Sequence, residues 1–164
     1  MYKVNDYLVY GKDVCKVCEI EEKKFNDEDY YLLRPLKDSS LKIEVPVSDK
    51  ANKIRALITK EELETIIKEI PDIPLIESDE KFIEAEYKSL LSNPSHKNLI
   101  RIIKTTYLRN KKRLDNNKKT TDKDTKYFEL AEEYLYNEFS VVLGYDYEQT
   151  KNYIITQVNK LEKI

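Results

Sequence analysis

The chain has 164 residues, 40% of them apolar and 37% charged, with a formal net charge of −2. That allows one domain, or two small ones, with apolar cores under a heavily solvated surface. Only two glycines and five prolines exclude a low-complexity or linker-rich chain, and no stretch approaches the ~18 apolar residues of a membrane span. The opening MYKVNDYLVYG carries neither a basic n-region nor an apolar h-region, so no signal peptide is expected. Two cysteines in such a chain fit a reducing compartment, and a cytoplasmic location is expected.

In chain order, Tyr7 to Tyr10 reads as a short strand ending at Gly11, and Val14 to Glu21 as a second. Lys23 to Asp29 is polar and reads as a hairpin loop around Asn26 and Asp27. Tyr30 to Leu33 is a buried-strand pattern, and Leu41 to Val45 alternates before Pro46. Four or five short strands in this space predict a small Tudor- or SH3-like β-barrel. Any edge it leaves unpaired is a docking surface for another sheet.

From Thr59 the period changes. Thr59 and Glu62 form a capping-box pattern that opens a helix through Ile70, broken by Pro71 and Pro74. Ser78 is the expected cap of a second helix ending near Leu91. Asn93 and Pro94 start a third that runs to about Leu114, with Leu99, Ile100, Ile103, Tyr107 and Leu114 on one face. Thr121 or Asp122 starts a fourth, which Gly144 stops. Asp146 and Gln149 cap a fifth carrying Ile154, Ile155, Val158 and Leu161. The expected class is therefore α+β: a β domain over residues 1–56, then an all-α bundle of about five helices over 57–164.

The chain offers little for catalysis. Cys15 and Cys18 form a CxxC inside an expected strand, where the spacing puts the thiols on opposite faces. A structural zinc site needs about four ligands, and the one histidine, His96, is distant and reads as surface. Glu61–Glu62, Glu84–Glu86 and Glu132–Glu133 read as solvated helix faces. Neither an enzymatic activity nor a cofactor, metal site, small-molecule substrate or membrane partner is expected.

One signal stands out. Residues 97–126 hold eleven Lys/Arg and three Asp, a local charge of +8, so the remainder carries −10. Acidic residues are absent from 97 to 114. Such asymmetry points to a polyanion on one face, bound through phosphates and thus largely without sequence preference.

The N-terminal residues resemble the CarD/CdnL family of RNA polymerase-binding transcription regulators. The resemblance rests on MYKVND, YLVYG and VCKV, then on YYLLRPL, the strand over Lys42 to Val47, and NKIRALITKEEL over Asn52 to Leu63. It implies a Tudor-like domain that binds the polymerase β subunit by pairing sheet edges. It also implies a helical domain that lies on promoter DNA at the upstream edge of the bubble and stabilises the open complex. On this resemblance, polymerase contacts would fall at Lys23, Ile43, Glu44, Val45 and Pro46, although some members carry a basic residue where Glu44 stands. DNA contacts would fall at Lys88, Arg101, Lys104, Arg109 and Lys126, and the basic face of the third helix adds Lys97, Lys111 and Lys112. The family's wedge tryptophan falls at Phe82 or Ile83, followed by Glu84, Ala85 and Glu86 in place of basic residues. The alternative is an adaptor that keeps polymerase binding and has lost the wedge. A monomer is expected, with strand exchange between chains as the route to a dimer.

Overall fold

The computed structural model describes residues 1–162, so the expected end of the helical region at 164 lies outside the described residues. Five strands come first: β1 (Tyr7–Tyr10), β2 (Asp13–Phe25), β3 (Glu28–Pro35), β4 (Ile43–Pro46) and β5 (Ile54–Arg55). All pairs are antiparallel, in the order β4-β3-β2-β1-β5. The sheet is open rather than a closed barrel: β4 and β5 are its two edges, and with four and two residues they are short for closure.

The β2–β3 hairpin is longer than the polar sequence suggests. Asn26 (φ 50) and Asp27 (φ 61) alone make the turn, both left-handed as a twist-matched two-residue hairpin requires. Lys23 and Lys24 therefore lie in the strand. The register shifts between Val17 and Glu19, a bulge that places Cys18 at a local bend. Leu8, Cys15, Val17, Tyr31, Leu33 and Val45 fill the sheet core.

Five helices follow: α1 (Lys60–Glu69), α2 (Ile83–Ser92), α3 (His96–Asp115), α4 (Asp122–Leu143) and α5 (Tyr147–Glu162), with a 3-10 turn at Ile70–Asp72. Thr59 accepts the Glu62 amide, Thr121 accepts that of Asp124, and Gly144 ends α4 at φ 70. Asp146 and Gln149 satisfy each other's amides reciprocally, at 2.7 and 3.0 Å. Two starts differ from expectation. Ser95, not Asn93, caps α3, so Pro94 precedes the cap. The second helix begins at Ile83 rather than beside Ser78, with no side-chain cap.

Helix α4 is the spine of the bundle, with α3 and α5 packed along it and α1 and α2 on its flanks. Its Tyr127, Ala131, Leu135 and Phe139 recur every four residues and are all buried, one stripe of a helix of period 3.6. They pack with Leu63, Ile67, Ile83, Tyr87 and Ile102 in the second core. The two cores are close in sequence: Ile54 packs on the first and Ile58 belongs to the second.

Candidate protein and nucleic-acid interfaces

The basic segment does not act as one surface. Lys104 Nζ donates to the carbonyls of Ile70 and Ile73, each at 2.7 Å. Arg101 Nε donates to Pro74 O at 3.2 Å. These two cations hold the proline-containing segment between α1 and α2 against α3, because its carbonyls have no helical partners. Arg109 bridges Glu80 and Asp124, Lys123 also reaches Glu80 at 2.8 Å, and Lys97 lies 3.3 Å from Glu69. Hydrogen bonds from Arg109 and Lys123 hold the Glu80 carboxyl at about 2.

What remains outward is a cluster at the α3–α4 turn. Lys111 and Lys112 at the end of α3, with Lys118 and Lys119 in the loop, are exposed and make no ion pair among the described residues. Arg113 Nε donates to Lys119 O at 2.7 Å and folds the loop back on the helix. Cations at a helix C-terminus also oppose its partial negative charge. Lys126, one turn into α4, lies 5.3 Å from the Tyr127 ring centroid. Lys88 lies apart on α2, 3.4 Å from Glu84. Lys118 and Lys119 belong to the +8 segment but were not singled out as contacts; their freedom from carboxylates marks them.

The two wedge candidates separate cleanly. Ile83 is 1% exposed and Phe82 is 54% exposed. Ile83 is core and has no surface with which to part a base step, so of the pair only Phe82 is presented to a partner. Its basic neighbours are Lys81, 5.6 Å from its ring centroid, and the Arg109–Glu80–Lys123 group. Arg101 and Lys104 are engaged on the segment before it.

At the sheet, β4 carries the other candidate contacts. Val45 points into the core at 4% exposed, so its backbone alone can meet a partner. Ile43 and Pro46 are half-buried and Glu44 is exposed. Glu44 pairs with Lys24, which also takes Glu21. Lys23 is exposed with φ 47, its amide donating to Asp29 Oδ1 at 3.0 Å.

The least anticipated feature is a set of buried acids. Asp124 is 0%, Glu138 3% and Glu132 5% exposed, so Glu132 is not on a solvated face. Asp124 accepts from the Tyr87 hydroxyl at 2.7 Å, Arg109 Nε at 3.1 Å and Thr121 Oγ1 at 3.0 Å. Burial and this carboxylate together raise the Tyr87 hydroxyl well above its usual range. Glu132 accepts from the Tyr147 hydroxyl at 2.9 Å, with Lys151 at 3.5 Å.

Glu138 joins the two halves of the chain. It accepts from Arg55 Nη2 and Nη1 at 2.8 and 2.9 Å and from the Ile58 amide at 2.8 Å. His96 Nε2, 2.9 Å away, must donate, since a carboxylate only accepts. His96 also stacks on Phe139; it is half-buried, not a surface residue. Burial alone would raise the Glu138 carboxyl, but the hydrogen bonds from Arg55, His96 and Ile58 outweigh it and hold it at about 2. Beside this junction, Lys12 and Lys37 lie over the Tyr134 ring, and Lys37 reaches Asp13 at 3.1 Å.

Cys15 is fully buried and Cys18 half-buried, both as free thiols. Burial, then Asp13, pushes the Cys15 thiol up to about 12, far from a reactive thiolate. Among the described residues no cluster of His, Cys, Asp or Glu could hold a metal ion, and no helix is long and apolar enough to cross a membrane. Comparison with protein-family models gives no match, and comparison with curated proteins gives none either.

Proposed function

We propose that this chain is a non-enzymatic transcription regulator that grips the RNA polymerase β subunit with its sheet and promoter DNA with its helices. The observation that carries the reading is the separation of two unlike surfaces. One is the free edge of β4; the other is the cluster Lys111, Lys112, Lys118 and Lys119 on the helical half. An edge strand adds another protein's strand through main-chain hydrogen bonds, and lysines free of carboxylates suit a phosphate backbone. In this reading the open sheet is the Tudor-like module of a CarD/CdnL-type regulator, and exposed Phe82 replaces the wedge tryptophan. Contacts made only in the open complex and worth about 1.4 kcal/mol would raise its population about tenfold.

A second reading, a polymerase-binding adaptor that does not wedge DNA, is favoured by the surroundings of Phe82. Glu86 is exposed, and Lys88 faces Glu84 rather than solvent alone. Binding of the purified chain to the isolated β lobe and to promoter fork DNA, at two salt concentrations, decides between them. Binding to both, with steep salt dependence for DNA only, supports the regulator. The adaptor is supported by binding to the lobe alone, and failure to bind the lobe refutes both.

A further inference from the structure

Phe82 is 54% exposed, so its own packing does little to fix it. The chain before it is anchored at Ile76, whose amide donates to Thr105 Oγ1 at 2.9 Å. The next anchor is buried Ile83. Between them, residues 77–82 form no helix or strand, only a turn over 80–82, and α2 starts after that turn without a side-chain cap. Among the described residues, Glu80 alone of this segment has a side-chain hydrogen bond or ion pair with another helix. Its carboxylate spans two helices. One oxygen takes Arg109 Nη2 of α3, and the other takes Lys123 Nζ of α4 at 2.8 Å. Arg109 is itself tied through Nε to the fully buried Asp124, so the carboxylate meets a fixed partner.

We propose that Glu80 is the positioning residue of Phe82, pinning the turn that carries the ring to α3 and α4. The inference rests on the regulator reading, in which Phe82 enters a base step of promoter DNA. A ring inserts from one place and in one direction, and it contributes in proportion to the fraction of molecules that hold it there. Ile83 fixes one end of the turn. A single anchor lets the turn pivot, and the Glu80 carboxylate, two residues before Phe82, supplies the second.

Charge alone argues for the opposite sign. Glu80 lies in an acidic stretch with Glu77, Asp79, Glu84 and Glu86, so neutralising it would favour a phosphate backbone. It would also release Arg109 and Lys123 toward phosphate. The two effects are therefore separated by direction. Without the Glu80 charge, lost positioning shortens the open-complex lifetime, whereas relieved repulsion lengthens it.

The test is the decay of open complexes formed by RNA polymerase and the full chain on a linear promoter fragment, chased with heparin. Wild type, Glu80→Gln, Phe82→Ala and the double variant are compared. Glu80→Gln keeps the side-chain volume, and the Glu80 side chain is 66% exposed. The variants should therefore fold, with Tm within a few degrees of wild type. Glu80→Gln should shorten the lifetime about threefold, a factor set by the modest strength of exposed ion pairs. In the Phe82→Ala background it should change nothing further, and affinity for the isolated β lobe should stay at the wild-type value. An unchanged or longer lifetime in Glu80→Gln, beside a shorter one in Phe82→Ala, overturns the inference and leaves the regulator reading standing. Equal shortening with and without the Phe82 ring also overturns it, because Glu80 then acts elsewhere. If Phe82→Ala leaves the lifetime unchanged, the wedge itself fails and the inference falls with it.

Discussion

Replacing Glu138 with glutamine keeps the side-chain volume and removes the charge that joins sheet to bundle. The carboxyl is held at about 2 against an ordinary value of 4.5, a difference worth about 3 kcal/mol at neutral pH. Breaking a buried ion pair costs about 3–5 kcal/mol. The lower end applies here, because the Arg55 side chain is 43% exposed and can turn to water. For a chain of this size about 3 kcal/mol lowers Tm by roughly 6–12 °C. The assay is thermal melting of wild type and Glu138→Gln across pH. A carboxyl with a depressed folded value stabilises fully above its unfolded value and loses that contribution as pH falls through the folded one. The gap between the proteins should therefore be full at pH 7, shrink below about pH 4.5 and close near pH 2. Other buried acids titrate in both proteins and cancel. A gap below about 3 °C at pH 7, or one undiminished at pH 2, would refute the assignment of this carboxylate as the junction.

Asp124→Ala strands the buried Tyr87 hydroxyl and leaves Arg109 with Glu80 alone, and a loss of about 3 kcal/mol is expected in urea unfolding. Ile83→Ala should cost about 2–5 kcal/mol as a core truncation. Phe82→Ala should stay within about 0.5 kcal/mol yet shorten open-complex lifetime; a large stability loss at Phe82 would make it core. Lys111→Glu with Lys118→Glu should lower affinity for fork DNA and flatten its salt dependence without moving Tm, as read by anisotropy and melting. Arg101→Glu with Lys104→Glu should instead lower Tm, since those cations hold the carbonyls of residues 70 to 74.

Much of the fold was legible because its signals are local. The Thr59, Thr121 and Asp146 caps, the Gly144 stop and the four-residue stripe of α4 each act within a turn or two of chain. The β2–β3 hairpin was misjudged because Lys23 and Lys24 look like loop, although a strand at a sheet margin tolerates lysines well. Closure of the sheet was overestimated because strand number is readable while strand length and mutual reach are not. The buried acids were missed because their partners are remote: Asp124 meets Tyr87 and Arg109, and Glu138 meets Arg55 across the chain. A signal did exist. Asp124, Ala131 and Glu138 recur every seven residues, which places both acids on a buried ridge of α4. The basic cluster was visible as composition, but which cations are spent on carbonyls and carboxylates depends on how the proline-containing segment folds back on α3.

The brevity of β4 limits what its free edge can hold. Four residues present only alternate backbone groups outward, no more than about four main-chain hydrogen bonds at roughly 0.5–1.5 kcal/mol each. That sum, about 2–6 kcal/mol, corresponds to a dissociation constant between roughly tens of millimolar and tens of micromolar. Any partner gripped there alone would let go quickly, and a long residence time would demand a second contact elsewhere on the chain. Because sheet and bundle are tied through Glu138, that second contact acts at a fixed separation, so its effective concentration depends on spacing rather than on the strength of either grip.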